Sequence, residues 1–498
     1  MNKPVRVLVF LGALLLVLAV MALLGMRSGD RRALQNYQAE LAAKGEKLTF
    51  AELMRGRRTN AVDSYTMITN AAAKLVGARI YPGLLEPRRY VRPGQASVVW
   101  RQAGPRWTPL AGPGNDGTWE EFAAQMQAAE RPLREIREAL KDPEAYAGGW
   151  TNVLVGGRVN YVPNRIAAQW LMGAGENELH QGRLEEGLQD LEAMAAVARM
   201  DRNEYTLVAQ MIRVAVAGLG LATTWDALQA SGWTEPQLER LQKAWEPVDL
   251  VEAVEKGVVG ARAGGYGIFV QVRRRSGPQA SRFLRTSWNI RSSSSKPTFE
   301  DVATDYLCFP AYKLIGIDAD ELFYLKTMQE GITALRLVQA HRPWPDVKQA
   351  LFKAVSPVYQ LTNVLDRFRY PLSLIAIPNY PKACGTAIDV ETERQMTLAA
   401  IALKRFQLRH GQLPPDLEAL VPELLPALPY DYMSAKPLRY RLKPDGSYVL
   451  YSVGLDGIDD GGDPSPAPGG SPGLWGGRDA VWPSPATEPS DPSRQPDR

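Results

Sequence analysis

The sequence predicts a mainly α-helical protein that begins with a membrane anchor and ends in a small α+β domain. Three observations carry this reading. Val5 to Met26 is apolar apart from Arg6. Apolar residues then recur at helical spacing through most of the chain. Near the C-terminus the period changes to alternation in LRYRL and SYVLYSV, with the turn sequence Lys-Pro-Asp-Gly between them. A chain of 498 residues is too long for one small core and predicts two or three domains. The expected divisions are an anchor at 1–29, a mainly helical domain at 30–370, a linker at 371–384, an α+β head at 385–483 and a disordered tail at 484–498.

The anchor comes first. About 20 apolar residues cross a bilayer as a helix, and Val5 to Met26 is long enough. A cleaved signal peptide has a shorter apolar core, of about 7–15 residues, and would need processing near Val20-Met21-Ala22. An uncleaved single span of the cytoplasmic membrane is therefore expected. Lys3 and Arg6 precede it and Arg27, Arg31 and Arg32 follow it, so flanking charge does not set its orientation.

Arg31 to Gly56 reads as helix with a break near Gly45, because Leu34, Tyr37, Leu41, Phe50 and Leu53 recur at helical spacing. Ala78 to Gly117, rich in Pro, Gly and Arg, reads as irregular chain or short strands. Thr118 and Glu121 form a capping box that starts the next helix. NELHQGRLEEGLQDLEAMAAVARM reads as a tetratricopeptide-like hairpin turning at Gly182, with Leu184, Leu188 and Leu191 as its stripe. It does not recur at 34-residue spacing, so a hairpin and not a repeat array is expected.

Residues 271–296 hold seven basic residues, from Arg273 to Lys296, and no acid. The segment reads as a solvated mobile loop, with lipid or nucleic-acid contact as its functional alternative. Asp320 to Ala340 returns to helical spacing, and Pro371, Pro378 and Pro381 mark the linker. Thr386 and Asp389 are candidate caps for a helix that runs to His410 and stops at Gly411.

Composition excludes several classes. A net charge of +4 is small for this length, and no nucleic acid is expected as a partner. Two cysteines, Cys308 and Cys384, exclude a disulfide scaffold. They could pair, but two buried thiols are the preferred reading. His180, His341 and His410 are far apart, and neither His-Glu-x-x-His nor Cys-x-x-Cys occurs.

The densest chemistry lies in YSVGLDGIDDGGD, where Asp456, Asp459, Asp460 and Asp463 are interspersed with glycines. Calcium takes about six to eight oxygens, and glycines let backbone carbonyls turn toward an ion. The spacing is not that of an EF-hand, and no Glu stands at its twelfth position. A turn whose aspartates cap backbone amides uses the same residues. Both readings stand on the residues alone.

LAAIALKRFQLRHGQLPPDLEALVP, LPYDYMSAKPLRYRL, YSVGLDGIDDGGD and GRDAVWP together resemble the head domain of the type II secretion major pseudopilins. The resemblance covers residues 385–483. It implies a long helix, an antiparallel hairpin and a calcium-binding terminal loop. Asp456 stands where the family has the aspartate of Gly-x-Asp-Gly, and Asp479 stands in the terminal aspartate segment. Asp460 and Asp463 lie between as further ligands. The chain departs from the family before its apolar segment, which lacks the processing site and ends at Met26, far from the head helix. Its order of segments is also similar to a group of uncharacterised single-anchor bacterial membrane proteins.

The expected function is that of a non-catalytic envelope scaffold. It would hold a helical partner-binding domain and a calcium-stabilised head outside the cytoplasmic membrane, with the protein partner unidentified. The alternative is an envelope polymer hydrolase using paired carboxylates, for which two acids in a deep pocket of the helical domain would speak.

Overall fold

In a computed structural model, the structure describes residues 21, 25–55, 62–75, 85–105, 117–141, 161–288, 304–470 and 473–486. It is mainly helical with small sheets. Most of the Val5–Met26 run lies outside the described residues.

The helices, in chain order, are α1 (25–43), α2 (Phe50–Leu53), α3 (Val62–Leu75), α4 (Trp119–Ala128), α5 (Glu130–Ala139), α6 (Val162–His180), α7 (Leu184–Arg199), α8 (Leu207–Leu228) and α9 (Glu235–Trp245). They continue with α10 (Leu250–Arg274), α11 (Gly277–Trp288), α12 (Phe309–Ile315), α13 (Ile317–Leu335), α14 (Trp344–Tyr359), α15 (Val364–Arg369), α16 (Pro371–Ala376) and α17 (Tyr380–His410). Local sequence explains many of the ends. Thr118 and Glu121 form the capping box of α4. Gly182, at φ 74°, makes the turn of the α6–α7 hairpin. Gly411, also at φ 74°, ends α17 in the left-handed conformation that glycine adopts without strain.

The centre of the core is α8, which packs against α6, α7, α10 and α17. Among the described helices it is long and apolar enough to cross a membrane, with a mean hydropathy of 1.5. Yet it buries Gln210, Arg213, Thr223, Thr224 and Asp226, and most of its apolar window is covered by protein. That is the pattern of a core helix. Close helix approaches need glycine at several places, Gly260 and Gly265 among them. A Cβ at Gly260 would lie 1.6 Å from the Tyr205 carbonyl oxygen, and one at Gly265 would lie 2.2 Å from the Tyr324 ring.

Among the described residues, one large hydrophobic cluster takes in buried residues from Leu34 to Trp482. The segment expected as a linker, 371–384, contains α16 and the first turn of α17. Thr386 and Asp389 therefore lie inside α17 and do not cap it; the Thr386 hydroxyl bonds the Lys382 carbonyl. Prolines at the first turns of α16 and α17 start helices here, since their missing N–H is not needed at that position. The helix of the expected head packs against α8, α9 and α10.

The basic segment expected as a loop is helical up to Trp288, and residues 289–303 lie outside the described set. Arg273 is paired with Asp318, at 2.6 Å, and with Glu321. The acids that neutralise Arg273 come from α13, so this member of the basic run is paired in space. Cys384 is buried but Cys308 is exposed, and both are free, which corrects the expectation of two buried thiols.

The sheets are short. β1 (Arg89–Arg92) and β2 (Gln95–Ser97) form a hairpin. β3 (Tyr430–Asp431) pairs with β4 (Lys436–Pro437). β5 (Arg439–Leu442), β6 (Tyr448–Ser452) and β7 (Ala480–Val481) make an antiparallel sheet, with Gly446 turning β5 into β6. β8 (Ser484–Pro485) returns to the first hairpin and runs parallel to β2. The first residues of the expected disordered tail are thus held by bonds from the Ser484 amide to Gly94 and from the Ala486 amide to Ala96. Residues 487–498 lie outside the described set.

Candidate functional site

The aspartate loop follows β6. Each of the four sequence-selected carboxylates has a partner. Asp479 is buried, and its oxygens accept the amides of Asp460, Gly462 and Asp463 at 3.3, 2.8 and 2.9 Å. Asp456 accepts the Ile458 amide at 3.0 Å, and Asp463 accepts the Ser465 amide at 2.9 Å. Arg478 places its guanidinium 3.4 Å from Asp460 and 3.8 Å from Asp463. Asp459, from the same run, accepts Arg439, the Tyr451 hydroxyl and the Gly461 amide.

Electrostatics follows from these contacts. Burial raises the Asp479 carboxyl above the usual range, against the pull of its three amides. Bonds from Ser465 hold Asp463 below that range. A calcium ion needs carboxylate lone pairs turned toward a common centre. Here amide N–H groups and a guanidinium point at those lone pairs. Among the described residues, no three His, Cys, Asp or Glu side chains converge on a point where a metal could sit. As arranged, the donor set is that of a hydrogen-bonded turn.

Asp431, from the LPYDYM segment, does the equivalent work beneath the sheet. It is buried and accepts the Met433 and Val453 amides and the Ser434 and Ser452 hydroxyls, tying the β3–β4 turn to β6.

A second group does not show in the sequence. Glu176 on α6 and Asp226 on α8 are both fully buried. Asp226 accepts the Arg88 amide at 2.8 Å and the Val99 amide at 2.9 Å. Burial pushes its carboxyl up to about 7, with those amides pulling the other way. Neither oxygen of Glu176 has a hydrogen-bond partner among the described residues. Burial, and then the charge of Asp226, raises it well above the carboxylate range. Two acids so placed cannot both ionise at low cost, because their mutual repulsion adds to the desolvation penalty of each.

Two more acids on α17 extend the group. Glu393 pairs with the buried Arg88 guanidinium at 2.5 Å. Asp389 is pushed up to about 7 by burial and by Glu393, with Lys348 opposing. The sequence signal for this cluster is an acid inside an otherwise apolar stripe, as in MGAGENEL and ATTWDAL. Such a stripe reads as core, and only the packing shows what an acid within it faces.

Raised carboxylates are the groups that enzymes use as acids. Substrate must also reach them. Three surface clefts among the described residues are lined by other side chains, and Glu176 and Asp226 line none of them. The clefts carry ion pairs such as Arg336–Glu46 and Arg183–Glu178, or Lys404, which caps the end of α8 through the Leu228 and Ala230 carbonyls. Comparison with known proteins finds no matching family model, no similar curated protein and no similar solved structure.

Proposed function

We propose that this chain is a membrane-tethered, non-catalytic scaffold whose helical body presents its surface to a protein partner outside the cytoplasm. The observation that supports this reading most is the large core cluster that joins buried residues from Leu34 to Trp482. It binds the pseudopilin-like end to the helical body through α17, so that end is not free to enter a filament as a separate head. The Val5–Met26 run supplies the tether. The extracytoplasmic side follows from the resemblance of residues 385–483. Calcium is not part of the proposal, because the aspartate loop commits its carboxylates to amides and to Arg478.

The test is fractionation of cells that express the full chain. The protein should stay with membranes through high-salt and alkaline washes. With the outer membrane opened, an impermeant thiol reagent should label the exposed Cys308. A soluble form beginning at Leu23 would overturn the tether. Labelling only after lysis would invert the orientation.

The Glu176–Asp226 pair favours one other reading, acid–base hydrolysis of an envelope polymer. It requires an opening of the core that brings solvent to Glu176. Hydrogen exchange at α6 and α8 as fast as at surface turns would support it.

A further inference from the structure

We propose that one end of the helical body rests in the headgroup layer of the same bilayer that the N-terminal run enters. The inference rests on the tether reading and adds a surface to it.

The surface is an exposed apolar patch. Val364 and Leu365 on α15 are 82% and 80% exposed. Phe368 on the same helix, Ile375 on α16, and Tyr306 and Leu307 just before α12 are also exposed. Single exposed apolar residues are ordinary, but a cluster on neighbouring elements marks an interaction surface.

Specific bonds bring these elements to one end of the fold. Asp320, in the first turn of α13, is the meeting point. It accepts the Tyr312 hydroxyl of α12 at 2.7 Å and the Leu372 and Ser373 amides of α16 at 2.9 and 3.1 Å. The Phe323 ring of α13 lies 4.9 Å from the ring of Tyr370, which joins α15 to α16. The Arg369 guanidinium of α15 donates to Asp30 of α1 at 3.3 Å.

That last bond chooses the occupant. Asp30 follows Met26, the end of the apolar run, by four residues of sequence. A helix rises about 1.5 Å per residue, so Arg369, at the edge of the patch, is held roughly 6 Å along the axis from the point where the run ends. The headgroup layer on each side of the hydrocarbon is about 5–8 Å thick. An element tied to Asp30 therefore falls within that layer when the run spans the bilayer. Met26 is itself exposed at the base of α1. Charge agrees with an anionic surface. Arg27, Arg31 and Arg32 stand at the base of α1 and Arg367 stands beside Phe368 on α15, while Arg369 is paired with Asp30 and Asp366 is the acid of that helix. Such an arrangement, apolar side chains beside cations on a short element, is that of a segment lying in the plane of the interface.

The test uses the full chain in vesicles of phosphatidylcholine with a minority of phosphatidylglycerol. A thiol-reactive fluorophore is placed by Leu365→Cys, by Tyr306→Cys or, as a control in the aspartate loop, by Ile458→Cys, each in a Cys308→Ser background. Cys384 stays, since it is buried and its thiol is pushed up to about 12. Spin-labelled lipid should quench the fluorophore at 365 and 306, and aqueous iodide should not. At 458 the order should reverse. A chain that floats with the vesicles while 365 is as open to iodide as 458 overturns the proposal and leaves the tether standing. Protection of 365 from iodide without quenching by lipid means that a second copy or another protein covers the patch, and also overturns it. A chain that does not float with the vesicles at all overturns the tether and the proposal together.

Discussion

Replacing Glu176 by glutamine should change how stability depends on pH. Glu176 is fully buried without a hydrogen-bond partner among the described residues, beside Asp226. Its folded pKa is raised, and an unfolded glutamate titrates near about 4.3. Above that value the unfolded chain has released a proton that the folded chain still holds. The folded state then binds more protons, so stability falls as pH rises, by about 1.4 kcal/mol per pH unit for each such group. Asp226, pushed up to about 7, adds the same slope until its own pKa is passed. A group that keeps its folded-state proton over two pH units removes roughly 2.7 kcal/mol. The side chain introduced by Glu176→Gln cannot ionise, so the variant lacks the slope that this group contributes. Its amide brings buried donors without partners, which costs about 1–3 kcal/mol at every pH. The variant should therefore be the less stable protein near pH 5 and match or exceed the wild type near pH 7. The assay is equilibrium urea unfolding of the full chain in detergent micelles, read by the buried tryptophans Trp170, Trp225 and Trp245. Parallel pH curves for the two proteins would refute the reasoning, because they would mean that Glu176 is already ionised in the folded state.

Asp479→Asn should cost about 2–3 kcal/mol, since one carboxylate holds three amides, and the loss should be equal in calcium and in chelator. Asp456→Asn, with one amide at an exposed turn, should stay within about 0.5–1 kcal/mol in the same melts; a wild-type melting temperature that rises with calcium would restore the cation reading. Gly260→Ala should prevent folding or cost more than about 4 kcal/mol in the urea assay, because the added carbon meets a backbone carbonyl that cannot rotate away; a loss under about 1 kcal/mol would mean that the α10 crossing is looser than it looks.

Local signals in the sequence translated well. The capping box at Thr118, the turn at Gly182, the stop at Gly411 and the β5–β6 hairpin all depend on residues within a few positions of one another, and each is where the pattern places it. Readings that depend on distant partners fared worse. Arg273 looks unpaired in sequence because its acids, Asp318 and Glu321, lie on another helix. The prolines at 371 and 381 suggest a linker because proline at a first helical turn and proline in a loop are the same residue in sequence. The aspartate loop shows its carboxylates but not their orientation, and orientation separates an amide cap from a metal ligand. Glu176 and Asp226 are visible only as acids in apolar helices. That they are neighbours is a property of the α6–α8 packing.

The last turn of α8 shows how such packing joins segments that are remote in the chain. Asp226 receives the amides of Arg88 and Val99 on either side of the first hairpin. The Leu228 carbonyl receives Lys404 of α17. The Trp225 indole N–H donates to the Pro483 carbonyl at 2.9 Å, just before β8 joins β2. Three segments are thus fastened within one turn of helix, and the fastening of the C-terminal one can be tested by itself. Trp225→Phe keeps an aromatic ring in the core but removes the donor. The Pro483 carbonyl loses a buried partner, at a cost of about 1–3 kcal/mol, and the smaller ring adds a cavity term. If the bond holds the C-terminal segment in place, the loss should be felt locally. The Ser484 and Ala486 amides, which bond to Gly94 and Ala96, should exchange with solvent faster in the variant. Amides in the middle of α17 should keep their protection, because that helix is also held by its packing against α9 and α10. Hydrogen exchange of the full chain, resolved by peptide, separates the cases. Equal acceleration at residues 484–486 and in α17 would mean that the variant loosens the whole core, and that the indole bond has no special hold on the returning strand.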